Sequence, residues 1–250
     1  MWAGYGLGDL DDAPFARSRW FLSDPDGAAA ALLYDWGGGL VLLTYGATEA
    51  LAELAPALPL PATFDLHCRA EHRPAVERVL DEQSRAALVP HRRLGLRGQG
   101  LRSAPSVVGL AWRRLHPEDV PAMQALYAAH YPGNFFDPAR LAVWPSFGAF
   151  TLEDATLVGI AGTHVVSLER RVAAVGDIVT AASWRGRGVA AWLVTALVES
   201  LRRDGVELFV LNVEATNEAG QRCYRRLGFG VGQGLEVAHL EGHGLTRRAP

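Results

Sequence analysis

The hydrophobic period of this chain switches from two to 3.6 across Arg185-Gly186-Arg187-Gly188-Val189-Ala190, and that switch limits the fold it can adopt. Upstream, residues 147–152, 157–166 and 172–180 read as extended runs separated by Glu153-Asp154 and Glu169-Arg170, which predicts a three-stranded antiparallel meander. Downstream, Val189, Leu193, Leu197 and Leu201 fall on one helical face. Arg202 and Arg203 suit the negative end of that helix dipole, and Gly205 stops it. Residues 208–213 then read as a buried strand. A meander, a helix and a returning strand predict an α/β chain of the α+β kind, with a mixed central sheet flanked by helices.

The two glycines let the backbone turn tightly enough for several N–H groups to converge at the helix N-terminus. Those groups and the positive end of the dipole favour a phosphate or diphosphate, and Arg185 and Arg187 can add charge. A tight strand-to-helix connection also tolerates glycine for structural reasons alone, so the loop by itself leaves both readings open.

Composition removes competing chemistries. All 24 basic residues are arginine, against 27 acidic ones. Without lysine there is no Schiff base and no phosphate-loop or kinase-type lysine. A formal charge of -3 gives no ground for a nucleic-acid partner, and the scattered arginines of 69–102 read as a solvated face. Cys68 and Cys223 are too few for a disulfide framework or a thiolate zinc site, so no metal is expected. No apolar run approaches the ~20 residues of a membrane span. The N-terminus shows neither a signal nor a transit pattern, and the expected location is cytoplasmic with no membrane partner.

The 250 residues suffice for one large domain or two compact ones. Residues 30–36 and 40–45 flank Gly37-Gly38-Gly39 and predict a hairpin; 48–58 and 74–88 look helical, and 64–68 extended. Arg92–Ser106, rich in arginine, glycine and serine, reads as a linker. The expected domains are therefore a smaller mixed α/β unit at 1–105 and a second unit at 106–250. The second opens with a strand over 107–115 and a helix from Pro117 to about His130. A short helix at 138–143 precedes the meander, and Gly230–Leu240 supplies the last strand.

Asn217 stands seven residues before Tyr224, in a helix that ends in Tyr224-Arg225-Arg226-Leu227-Gly228-Phe229. With the glycine loop one helix and one strand upstream, residues 106–235 resemble the GNAT superfamily of acyl-CoA-dependent N-acetyltransferases. Its [RQ]-x-x-G-x-[GA] loop matches Arg185 to Ala190, and its N-x(6)-Y-x-x-L-G-F helix matches Asn217 to Phe229. The resemblance implies acetyl-CoA as co-substrate, a primary amine of a small molecule or peptide as acceptor, and direct transfer in a ternary complex. It implies that the diphosphate rests on the amides of Arg185, Gly186, Arg187, Gly188, Val189 and Ala190. The pantetheine arm would lie along Ile178, Val179 and Thr180 like an added strand, Asn217 would hold it from the other side, and Tyr224 would face the leaving sulfur. The first unit would be a decayed second copy of the fold without a cofactor loop.

The glutamate that the family often carries in its fourth strand is replaced by Ala174. Asp177 and His164 are the alternatives for receiving the amine proton, and neither is assigned. Strand alternation would turn Asp177 to the face opposite Ala174. Tyr131, Phe135, Phe136, Trp144 and Phe147 could line an acceptor pocket or a core. The missing glutamate leaves open an acyl-CoA-binding sensor without turnover. A dinucleotide-binding oxidoreductase is the other alternative, because Gly186 to Ala191 satisfies G-x-G-x-x-A and Glu214 ends the next strand.

Overall fold

The computed structural model describes residues 18–23, 27–35, 39–61, 63–78, 80, 87–134 and 136–240. The elements are β1 (Ser18–Leu22), β2 (Ala29–Asp35), β3 (Leu40–Gly46), α1 (Thr48–Leu54), β4 (Phe64–Arg69), α2 (Arg73–Val76) and β5 (Val89–Arg97). After them come β6 (Leu110–Arg114), α3 (Val120–His130), β7 (Phe147–Thr151), β8 (Leu157–Ser167), β9 (Val172–Thr180), α4 (Val189–Arg203), β10 (Leu208–Glu214), α5 (Glu218–Arg226) and β11 (Gly230–Leu240). The expected mixed sheet flanked by helices is present, in the strand order β1-β2-β3-β4-β11-β5-β10-β9-β8-β7-β6.

The pairing repeats. β1, β2 and β3 pair antiparallel in turn, and after α1 the chain returns as β4, parallel to β3. β7, β8 and β9 do the same, and after α4 the chain returns as β10, parallel to β9. In each half a helix then leads to a last strand that joins the other half. β5 pairs with β10, β11 pairs with β4, and the two exchanged strands pair with each other at the centre.

Side-chain alternation sorts the first half into two faces. Ala31, Leu33 and Leu42 pack with Leu51 and Leu54 of α1 and Val76 of α2 in one core. Leu32, Tyr34, Val41 and Leu43 point the other way and join the large core of the second half. There Val189, Leu193, Leu197 and Leu201, the stripe read from the sequence, are all buried. Burying such side chains stabilises by roughly 1.5–3 kcal/mol each, which holds α4 on the meander.

Two expectations change. The linker expected over 92–106 begins as strand β5, since Leu94 and Leu96 enter the core while Arg93 is buried and bonds Asn212 Oδ1 at 2.9 Å. The helix expected over 74–88 is seen as Arg73–Val76; residues 79 and 81–86 lie outside the described residues, as do 36–38 of the glycine turn. Among the described residues no helix is long and apolar enough to cross a membrane.

Candidate active site

β9 and β10 stay together for three residue pairs, Val172–Leu208, Ala173–Phe209 and Ala174–Val210, and then diverge. On its far side β10 is held by β5 along its whole length, which fixes the direction in which it leaves β9. A cavity of about 840 Å3 fills the gap, lined by Ile178, Val179, Thr180, Asn217 and Tyr224 and by the glycine loop.

In that loop Gly186 and Gly188 have φ of 77° and 87°, and an added Cβ at either would meet nothing within 4 Å. The N–H groups of residues 186 through 190 donate to no acceptor among the described residues, as expected where the loop meets the first turn of α4. Gly186, Gly188, Val189 and Ala190 line it. The two arginines behave differently from each other. Arg185 folds back along the strand end, donating from Nε to the Thr180 carbonyl at 3.2 Å and from a terminal nitrogen to the His130 carbonyl at 3.3 Å. Arg187 lies over the Trp184 ring, 4.9 Å from its centroid, and is not among the lining residues.

Across the gap Asn217 caps α5, its Oδ1 accepting from the Gly220 N–H at 2.8 Å, which leaves its amide nitrogen as the group able to reach the cavity. Tyr224 is buried, and its ring meets Phe229 edge-on at 6.1 Å. Burial first, with Cys223 and Tyr131 adding, holds its phenol far above the usual value, so it remains a proton donor at any working pH. Cys223, half-buried, lines the cavity, and burial raises its thiol.

His164 and Asp177 meet. Both sit at irregularities in the β8–β9 ladder, where the register shifts between Ile160 and Gly162 and again between Thr163 and Val165. Asp177 has a φ of 50°, an unusual conformation for a side-chain-bearing residue. The buried Tyr127 hydroxyl of α3 donates to its carbonyl at 3.0 Å and fixes the bend. The Asp177 carboxylate then lies 3.7 Å from His164 Nδ1. Gly176 makes room for the imidazole, because a Cβ there would stand 1.9 Å from Nε2. Desolvation lowers the His164 pKa, Asp177 raises it and Arg140 lowers it again, with the net shift downward. Ala174, fully buried at the last β9–β10 pair, contributes nothing polar.

The sequence profile of the Acetyltransferase (GNAT) family matches residues 111–229. The mycothiol acetyltransferase of Corynebacterium aurimucosum is 25% identical over 134 residues, 54% of this chain; the chain spans 28% of that relative's length. The fold is similar to that of a GCN5-related N-acetyltransferase from Kribbella flavida (TM-score 0.69, 15% identity, 97% of this chain and 96% of that one). It is also similar to a tandem GNAT protein from the clavulanic acid biosynthesis pathway (TM-score 0.53, 13% identity, 87% of this chain and 81% of that one). Residues 111–229 therefore carry a GNAT-family acetyltransferase domain.

The fold brings nearly every residue named from the sequence to one cavity; the Arg187 side chain is turned aside and the Thr180 carbonyl is already engaged. Of the five aromatics, Tyr131 lines the cavity, Trp144 and Phe147 are core, Phe136 packs on Tyr127 and Phe135 lies outside the described residues. What the motifs do not reveal is the opposite wall. Tyr34, Val41, Leu43, His67 and His91 come from the first half and Arg140 from the turn before β7. Desolvation pushes the His67 imidazole down to about 3, with Arg93 next in effect, so it stays neutral. Among the described residues no group of three or more His, Cys, Asp or Glu is placed to hold a metal ion.

The loop geometry gives a direct expectation. Gly188→Val places a β-branched residue at a left-handed φ, worth at least about 1–2 kcal/mol, and fills open space in front of the amides. Coenzyme A affinity measured by calorimetry should fall at least about tenfold. An unchanged dissociation constant would remove the loop from cofactor binding.

Proposed function

We propose that this protein is an N-acetyltransferase moving the acetyl group of acetyl-CoA to a primary amine of a small molecule or peptide within a ternary complex. The observation that carries this reading is that unengaged loop amides and the free edge of β9 open into one cavity. The diphosphate rests on the N–H groups of residues 186–190, where the helix dipole adds to them. The pantetheine arm runs along the edge of β9 at Ile178 and Val179, with the Asn217 amide nitrogen facing it. The thioester supplies an activated acyl carbon and a stable thiolate leaving group. His164 takes a proton from the acceptor ammonium, and the freed amine nitrogen forms the new C–N bond as the C–S bond breaks. The Tyr224 hydroxyl donates to the departing sulfur, the second proton shed by the acylated nitrogen restores the phenol, and Asp177 steadies the imidazolium.

We further read residues 1–105 and 106–250 as two copies of one unit, of which the second holds the cofactor. In the first, β3 reaches α1 through Gly46-Ala47 with no glycine loop. His72, just before α2 as Asn217 is before α5, sits across the β3 edge, with Nδ1 2.9 Å from Thr44 Oγ1 and Nε2 2.9 Å from the Gly46 carbonyl. Its imidazole fills the gap that pantetheine occupies in the second.

Ala174 favours a second reading, an acyl-CoA sensor without turnover. The oxidoreductase alternative needs a doubly wound parallel sheet, whereas parallel pairing among the described residues is confined to β3–β4 and β9–β10. Calorimetry should give one acetyl-CoA per chain and no comparable binding of NAD or FAD; preferential NAD binding would overturn the proposal. Thiol release with an amine library separates enzyme from sensor. Tyr224→Phe should slow that release about 10²-fold, the lower end for a general acid because a thiolate leaves readily. Equal rates would free Tyr224 of that role.

A further inference from the structure

The wall of the cavity facing β8 carries opposite charges on either side of His164. Asp177 lies 3.7 Å from its Nδ1, and a terminal nitrogen of Arg140 donates to its backbone carbonyl. Arg140 is buried, yet its charge is poorly matched. Its second terminal nitrogen donates to the Tyr34 hydroxyl, a neutral group, and the Asp137 carboxylate stands 3.9 Å from Nε, beyond hydrogen-bonding range, while capping the next turn through Ala139 N–H. Nε itself has no hydrogen-bond partner among the described residues. A guanidinium has five N–H donors, and two are engaged here. A desolvated cation so placed attracts an anion more strongly than any surface arginine. The same cavity is lined by Val41, Leu43, Val165, Val175 and Val237, with His67 and His91 among the residues of that wall.

Resting on the acetyltransferase reading above, we infer that the acceptor is a zwitterion, an α-amino acid with an apolar side chain. Its amine is received between Asp177 and His164, and its carboxylate by Arg140 with Tyr34. Both charged groups bracket one residue, so the amine and the carboxylate they receive belong within a few bonds of each other. The valine and leucine wall takes the side chain. A polyamine or a lysine-rich peptide would set further positive charge against Arg140 and lose affinity for it.

The test uses the full chain saturated with acetyl-CoA. L-leucine, L-leucinamide and 3-methylbutylamine are compared by thiol release, and L-leucine and L-leucinamide by calorimetry on the coenzyme A complex. L-leucine should exceed both carboxylate-free amines by about 10²-fold in kcat/KM. Arg140→Met should bring that ratio near one while coenzyme A affinity stays as in the parent. If Arg140→Met does not fold, as a lowered melting temperature would reveal, Tyr34→Phe, which removes only the hydroxyl, should lower the ratio several-fold. Carboxylate-free amines turned over as fast as L-leucine would overturn the zwitterion inference and leave the acetyltransferase intact. No thiol release with any amine, despite acetyl-CoA binding, would overturn the acetyltransferase reading and this inference with it, unless L-leucine still bound the coenzyme A complex and L-leucinamide did not. That last pattern supports the carboxylate site alone.

Discussion

Replacing His164 with alanine should lower kcat by about 10²–10⁴-fold, the range general-base catalysis supplies, with acetyl-CoA affinity unchanged. The argument is positional before it is electrostatic. The imidazole lines the cavity, its Nδ1 is 3.7 Å from Asp177, and the position where the family often carries a glutamate is a buried alanine. Gly176→Ala offers a second route to the same loss, since the new Cβ would occupy the place of Nε2 and evict the ring without deleting it. The pH profile follows from the shift. Desolvation and Arg140 disfavour the imidazolium, Asp177 favours it, and the net direction is down from 6.5. A base acts when unprotonated, so kcat/KM should be flat at neutral pH and fall only as pH drops below the ordinary histidine range. Asp177→Asn removes the one neighbouring charge that raises the pKa and should move that acid limb to still lower pH. An acid limb unmoved in Asp177→Asn, together with near-parental kcat in His164→Ala, would exclude this dyad as the base.

The residues legible in the sequence are those whose constraint is local. Gly186 and Gly188 had to supply positive φ at a strand-to-helix turn, the 189–193–197–201 stripe had to face a core, and Asn217 had to cap, and all do. Tyr224 was legible because seven residues of helix fix its relation to that cap. The groups that escaped are joined over long sequence separations. Arg93 looked like part of a linker because Arg92, Arg93, Gly95 and Arg97 have loop-like composition; its bond to Asn212, 119 residues away, makes it a buried strand residue. Tyr34 meets Arg140 across 106 residues. Asp177 was named as a candidate, but the side to which it turns was not legible. Simple alternation assumes an even ladder, and β9 has a residue at φ 50° and a register shift in that stretch.

A fragment starting at residue 106 should fail to fold as a soluble monomer, although it contains every cofactor-contacting residue proposed above. Cutting there removes β5, which pairs with β10 at seven positions from Leu208–Arg97 to Glu214–His91 and separates it from β11. β10 would keep three pairs to β9, and β11 would lose partners on both sides, since β4 goes too. Long unpaired edges of this kind aggregate or capture another chain. The gap between β9 and β10 would suffer as well, because β5 is what pulls β10 aside and Arg93 is what holds Asn212 at the cavity wall. Starting instead at residue 87 keeps β5 and should recover part of the solubility without the acceptor wall. Co-expressing 1–105 with 106–250 should restore a complex that binds acetyl-CoA, because each fragment carries the strand the other lacks. If 106–250 alone melted cooperatively near the parent temperature and bound acetyl-CoA equally well, the exchanged strands would be ornaments on an independent domain. The reciprocal pairing argues otherwise: the central pair β5–β11 takes one strand from each half, so the cavity should form only when both are present.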